Sequence, residues 1–267
     1  MVRAFFTPRW VITTLLVIAA AGVMIRLGFW QLDRLEQRRE FNARVAAQVS
    51  APPLDLNKEI PRENLVDMEY RKVTVQGTYD PENEIIWRNQ VYQNQPGYHL
   101  LTPLRIDGST AAILVDRGFI PLEDGSPDRR EKYAQPGKVQ VNGILRQPVV
   151  PRYFGAPNPT LSPGETRIDA WNWVDLQQIQ QQSGLDLLPV YIQLAPPETA
   201  GTASGAAGPP FAGVDQPDLS EGSHFGYALQ WFAFAAVLGL GYPFFVRKQL
   251  RQSLAEKQAG PADFDSN

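Results

Sequence analysis

The sequence predicts an α+β protein in which two transmembrane helices flank a small antiparallel β-rich, barrel-like domain carrying one helix of its own. Three observations predict it. Apolar stretches nearly free of charge lie near both ends of the chain, each long enough to cross a bilayer. Between them, short β-branched runs with period two alternate with turn residues. One glutamine-rich stretch breaks that pattern and ends in Gly184, a helix stop signal.

The first span is residues 10–30, after a short basic N-terminus of residues 1–9 that carries Arg3 and Arg9. A helix of that length rises about 30 Å, the thickness of the hydrocarbon core. Trp10 and Trp30 then mark its two interfaces, and Arg26 snorkels outward. A second reading, a cleaved signal peptide cut near Ala19-Ala20-Ala21, fits less well because the apolar run continues past those alanines. Residues 31–50 are charged and free of proline, which extends the helix into water with Glu36–Arg39 and Glu40–Arg44 as opposite-charge neighbours. Ala51-Pro52-Pro53 ends it.

Residues 51–195 form the β-rich domain. Residues 55–69 are loop and short helix, and five strands follow over 71–78, 84–89, 98–106, 111–120 and 138–145. Asp80-Pro81, Pro96-Gly97, Asp107-Gly108, Asp124-Gly125 and Pro136-Gly137 are the expected turns. Pro103 predicts an edge or a kink in the third strand. A proline-rich loop (Pro148, Pro151, Pro157, Pro159, Pro163) leads to Trp171-Asn172-Trp173-Val174-Asp175, then to the helix ending at Ser183 and a sixth strand over 188–194. Residues 196–223, rich in Gly, Ala and Pro, form a flexible linker. The second span, residues 224–246, is uncharged after His224, and residues 247–267 are its tail.

Arg247, Lys248 and Arg251 follow the second span, whereas Asp215, Asp218 and Glu221 precede it. The positive-inside rule therefore places the C-terminus in the cytoplasm. With two spans, the N-terminus is then cytoplasmic and the central domain extracytoplasmic, as in a multi-pass plasma-membrane protein. The first span argues the other way, because Arg26, Arg34, Arg38 and Arg39 outnumber Arg3 and Arg9. The second span, with the cleaner asymmetry, decides the expectation.

Composition removes several classes of function. The chain has 267 residues and no cysteine, which excludes disulfides, thiolate metal sites and cysteine nucleophiles. Two histidines, His99 and His224, do not suffice for a multi-histidine metal site. A net charge of -3 gives no footprint for nucleic acid. Neither a phosphate loop nor a serine–histidine–acid arrangement is present in the sequence pattern, so the chain is not expected to be an enzyme.

His224 stands where a membrane helix meets water. On a helix it shares a face with Tyr227, Ala228 and Trp231. That face offers an imidazole, an aromatic wall and a small gap, which suits a flat macrocycle such as haem with the imidazole as an axial ligand. The plainer reading is an interfacial anchor of histidine and tryptophan. Gln230, one turn inside, is placed to bond a partner helix. His99, in a strand beside Tyr98, reads as a surface or core residue.

Gly28-Phe29-Trp30-Gln31-Leu32-Asp33-Arg34 resembles the Gly-x-Trp-Gln-x-x-Arg signature of the surfeit locus protein 1 family. Gly97-Tyr98, Thr102-Pro103-Leu104 and residues 114–121, around Asp116-Arg117-Gly118, are similar to that family's central block, as are Trp173 and Asp175. His224, Tyr227 and Gln230-Trp231-Phe232 resemble its second-span motif, and the order agrees along nearly the whole chain. Asp116 and Phe119 stand where relatives often have Asn and Trp, and Gly222-Ser223 where they have Asn before the histidine. The resemblance implies a non-enzymatic assembly factor for haem–copper cytochrome c oxidase, acting on its catalytic subunit and near haem A synthase in the bilayer. It implies transient binding of haem a, with His224 as the candidate iron ligand. Trp30, Gln31 and Arg34 would join Tyr227 and Trp231 in the working surface. The competing reading is a scaffold for oxidase subunits that never binds haem.

Overall fold

A computed structural model describes residues 8–148, 157–161, 166–195, 210–211 and 218–258. The chain divides into two compact units: residues 1–43 with 219–267, and residues 44–218. The basic N-terminus lies outside the described residues but for its last two. Most of the residues 196–223 linker, Pro151 and Pro163 of the proline-rich loop, and the last residues of the tail also lie outside them.

Helix α1 runs unbroken over Pro8–Ser50, so the expected span and its polar extension are one element. Pro8 fits a first helical position because its missing N–H is an orphan there anyway. Ala51-Pro52-Pro53 stops the helix as expected. Both α1 and the last helix are long and apolar enough to cross a membrane.

Between them come β1 (Leu54–Asp55), β2 (Lys72–Tyr79), β3 (Ile85–Tyr92), β4 (Gln95–Ile106) and β5 (Ala111–Pro121). A one-turn helix α2 (Pro127–Arg130), β6 (Lys138–Arg146), β7 (Ala170–Trp171), α3 (Leu176–Ser183) and β8 (Asp186–Leu194) follow. The last element is α4 (His224–Gln258), which continues through Pro243 and past Val246. The strands β2, β6, β8, β5 and β4 pair in that order, and β2 pairs β4 again to close a five-stranded barrel. The α+β, barrel-like expectation holds, with one difference. The ring is not antiparallel throughout, because β5 and β8 run parallel. Antiparallel pairing with β6 on the other side sets the direction of β8.

Alternation fills the barrel. Val73 and Val75 of β2, Leu104 and Ile106 of β4, Ile113 and Val115 of β5, and Val190 and Ile192 of β8 form one buried cluster. Strand β5 is apolar on successive residues because its other face is buried too. Ala112 and Leu114 pack with Trp171, Val174 and Leu176, and with Ile179 of α3. Asp175 caps α3 by accepting a bond from the Gln178 N–H at 3.0 Å, and Gly184 ends it at φ +68°.

Three local expectations change. The β3–β4 turn lies at Gln93-Asn94, both at positive φ, not at Pro96-Gly97. Gly97 instead lies within β4, where a Cβ would strike the Ile120 carbonyl and the Phe119 ring. Pro103 is neither at an edge nor at a break in β4. It pairs with Leu114 of β5 on one side. On the other it sits where the neighbour of β4 changes from β3 to β2, between Leu101 and Leu104. Its carbonyl still accepts from the Asp80 N–H at 2.8 Å, so the missing N–H falls in that gap. Phe211, inside the stretch read as linker, pairs by two backbone bonds with Phe119 and stacks on Tyr92 at 4.9 Å.

Two glycines permit closure. A Cβ on Gly77 would strike the Arg105 carbonyl, and one on Gly143 the Gln193 carbonyl. Gly77→Ala or Gly143→Ala is expected to cost about 1–3 kcal/mol, the usual range for forcing atoms into a packed site. Urea unfolding of the detergent-solubilised protein, followed by the loss of β-sheet signal in far-ultraviolet circular dichroism, checks this. Unchanged midpoints would show that the strands can part without penalty.

Candidate functional site

Within the first unit, the less exposed residues of α1 recur at steps of four and three: Trp10, Thr14, Val17, Ala21, Met24, Gly28, Gln31, Leu35 and Arg38. Those of α4 do the same through His224, Ala228, Trp231, Ala235, Leu238 and Tyr242. This is the heptad spacing at which two helices interlock. The helices run antiparallel. The Thr14 and Tyr242 hydroxyls meet at 2.7 Å, while Asn42 Nδ2 donates to the Leu219 carbonyl at 2.6 Å. Gly28 leaves room for the Phe232 ring, which a Cβ would meet at 2.6 Å. Phe29 touches the same ring edge to face at 5.3 Å.

At the end of this seam where α4 begins, His224 Nδ1 lies 2.8 Å from Gln31 Oε1. The amide oxygen can only accept, so Nδ1 carries the proton and donates. In the neutral ring Nε2 then holds the lone pair, and it makes no hydrogen bond among the described residues. About two turns further along α1, Arg39 forms a bidentate pair with Glu221, Nε to Oε1 at 2.8 Å and Nη2 to Oε2 at 3.0 Å. Arg39 therefore reaches across to α4's approach instead of relying on Glu36 in its own helix. The pair is half exposed and sets register more than stability.

The expected surface is brought together only in part. His224 and Gln31 meet, and the Arg34 guanidinium lies over the Trp30 ring at 5.6 Å. Trp231 is half-buried in the seam and touches Phe234 at 6.1 Å. Tyr227 does not share that face and is half exposed. Tyr227 precedes Ala228 by one residue, which at about 100° per residue turns it off the seam that Ala228 and Trp231 follow. The small gap at Ala228 is buried. Gln230 faces outward and is exposed.

The second unit holds a different site. At Asp116-Arg117-Gly118 the pairing of β5 with β4 slips, so that Leu100 opposes Gly118 and Leu101 opposes Asp116. Arg117 is the extra residue of a β-bulge, a device that re-aims one side chain. Gly118 takes φ +114°, which a side chain would strain, and its N–H donates to Asp116 Oδ1 at 3.0 Å. The other oxygen of Asp116 meets His99 Nδ1 at 2.8 Å, and the His99 ring packs edge to face on Trp87. His99 thus braces the bulge from within the domain.

Arg117 is buried over the Tyr79 ring at 4.8 Å, donates to the Tyr133 carbonyl, and stands 3.4 Å from Glu84. It lines a cavity of about 690 Å³ beside the end of β2 and the start of β6, with Arg130, Arg167, Glu84 and Asp169. Arg130 Nη2 donates to both oxygens of Asp169, at 2.7 and 2.8 Å. Burial pushes the Glu84 carboxyl above its usual range, against a bond from Thr102 and the charge of Arg117. Sequence reasoning singled out Arg117 but missed the other four, because separate loops and strands carry them and no short spacing links them.

The chain thus combines an antiparallel pair of long apolar helices with a closed barrel that holds a charged cavity. The SURF1 family model covers residues 18–236, and the chain belongs to that family. It is 29% identical over 237 residues to surfeit locus protein 1 of Mus musculus, covering 83% of this chain and 72% of that protein. The corresponding Homo sapiens protein is 27% identical, covering 85% and 74%. An uncharacterised SURF1-like protein of Mycobacterium tuberculosis is 24% identical, covering 95% and 89%.

Two outcomes are expected. In Gln31→Ala, His224 loses its acceptor, and ¹⁵N spectra of histidine-labelled protein above pH 7.5 should show the proton leaving Nδ1. An unchanged spectrum would remove Gln31 as the group that sets the tautomer. For Glu84, a raised folded-state pKa means that the folded state binds more protons than the unfolded one between the two values. Stability therefore falls as pH rises through that window. Urea titrations should show this slope in the parent and a flatter one in Glu84→Gln.

Proposed function

We propose that the protein is a membrane-anchored assembly factor for haem–copper cytochrome c oxidase that holds haem a and hands it to the catalytic subunit. The observation that carries this reading is the His224–Gln31 hydrogen bond of 2.8 Å. Iron-ligating histidines commonly give their second ring N–H to an acceptor, which fixes the tautomer and raises ligand basicity. Gln31 supplies that acceptor, so the residues present fit an axial ligand through Nε2.

Haem a, when bound, supplies the redox iron that the oxidase needs. The chain's own part is to bind, orient and release. Trp30, 42% exposed, and Tyr227, 50% exposed, offer apolar ring surface, the first midway along α1 and the second in the first turn of α4. Arg34 beside Trp30 offers a cation to a propionate. Trp231 stiffens the same stretch of α4 from inside the seam. The two apolar helices support a location in the plasma membrane, and Arg247, Lys248 and Arg251 support cytoplasmic termini with the barrel outside. No enzymatic step is part of this reading.

Haem should copurify from cells that make haem A, and His224→Ala should lower its content at least tenfold. Gln31→Ala should weaken retention about 10–100-fold, as loss of a ligand's outer partner does. His99→Ala should leave haem content unchanged. Equal haem in the His224→Ala variant would remove His224 as the ligand, whereas no haem in the parent, with oxidase assembly intact in the variant, would favour a scaffold that does not touch haem.

A further inference from the structure

The cavity in the barrel domain has a size typical of sites for small organic ligands, which run from about 300 to 1,000 Å³. Its charges do not balance. The guanidinium groups of Arg117, Arg130 and Arg167 face two partly or fully buried carboxyls, Glu84 and Asp169. Arg130 is 4% exposed, yet only its Nη2 is matched. Its Nε and Nη1 have no partner among the described residues, and neither has Arg167 Nε. The remaining Arg167 donors are spent on the Glu82 and Glu84 carbonyls. A buried cation answered through one nitrogen is costly unless further negative charge comes near. Burial also disfavours the charge of Glu84, which widens the imbalance. Glu82 and Glu131 stand at the rim but are exposed, where water and salt screen them.

We propose that this cavity binds an organic anion bearing one carboxylate, whose charge offsets the excess of Arg117, Arg130 and Arg167. Guanidinium forks suit planar carboxylates. Asp169 and Glu84 in the same wall oppose a dianion such as phosphate. The Tyr79 ring, Pro81 and Pro136 offer apolar surface to the body of the ligand. This reading is independent of haem and of His224, because every residue it uses lies in the second unit.

The test uses the full chain in detergent, with benzoate as probe, benzamide as its uncharged counterpart and inorganic phosphate as the dianion. Ligand-detected NMR and thermal shift should show saturable benzoate binding at least tenfold tighter than that of benzamide or phosphate. Arg130→Gln should weaken benzoate binding at least tenfold. That variant leaves Asp169 unpaired and can lose its fold, so Asp169→Asn supplies a change of opposite sign. It removes the internal competitor and should tighten benzoate binding several-fold. The proposal is overturned if benzoate and benzamide bind alike, if phosphate binds more tightly, or if Asp169→Asn leaves benzoate affinity unchanged or weaker.

Discussion

The barrel depends on one close approach, that of β2 to β4. Three residue pairs, from Gly77–Ile106 to Tyr79–Leu104, turn an open sheet into a ring. They form because Gly77 has no Cβ to strike the Arg105 carbonyl. Closure buries Val73, Val75, Leu104 and Ile106 in one cluster and removes the edge that β2 would otherwise present. It also brings Thr78 and Tyr79 beside the segment before β6, which completes one wall of the charged cavity. Without that seam the domain would keep its strands and lose both its core and its pocket.

The paired helices obey a different constraint. A heptad seam in apolar surroundings has no use for polar groups unless they bond each other, since an unmatched one costs a desolvation penalty. Thr14 with Tyr242 and Gln31 with His224 are such matches. The first joins two hydroxyls. The second orients an imidazole, and so its energetic requirement and its chemical use coincide. The proposed role of His224 thus rests on a contact that the helix pair requires in any case.

In the barrel, the Asp116-Arg117-Gly118 bulge does comparable work. Asp116 ties the bulge by accepting from Gly118 and meeting His99, and Arg117 is aimed at Glu84 and the Tyr133 carbonyl. A motif that marks the family resemblance therefore has a local mechanical reason, and a charged cavity is its consequence.

The sequence by itself determined whatever depends on neighbours along the chain. Uncharged length marked both long helices, period two marked the strands, and Asp175 and Gly184 marked the ends of α3. His224 and Gln31 were also legible, as polar residues at the ends of apolar helices and within motifs. Their bond was not, because it joins residues far apart in the chain. The heptad seam was written in α1 but hidden, since a helix that is apolar all round shows no face. The Gln93-Asn94 turn was missed because Pro96-Gly97 carries the stronger turn chemistry, and only the packing of Phe119 shows why that glycine is needed in a strand. Tertiary structure alone decided the parallel entry of β8, the closure at Gly77 and the meeting of Arg117, Arg130 and Arg167 with Glu84 and Asp169. Each is a contact between distant segments, set by what else must be buried, and no local pattern encodes it.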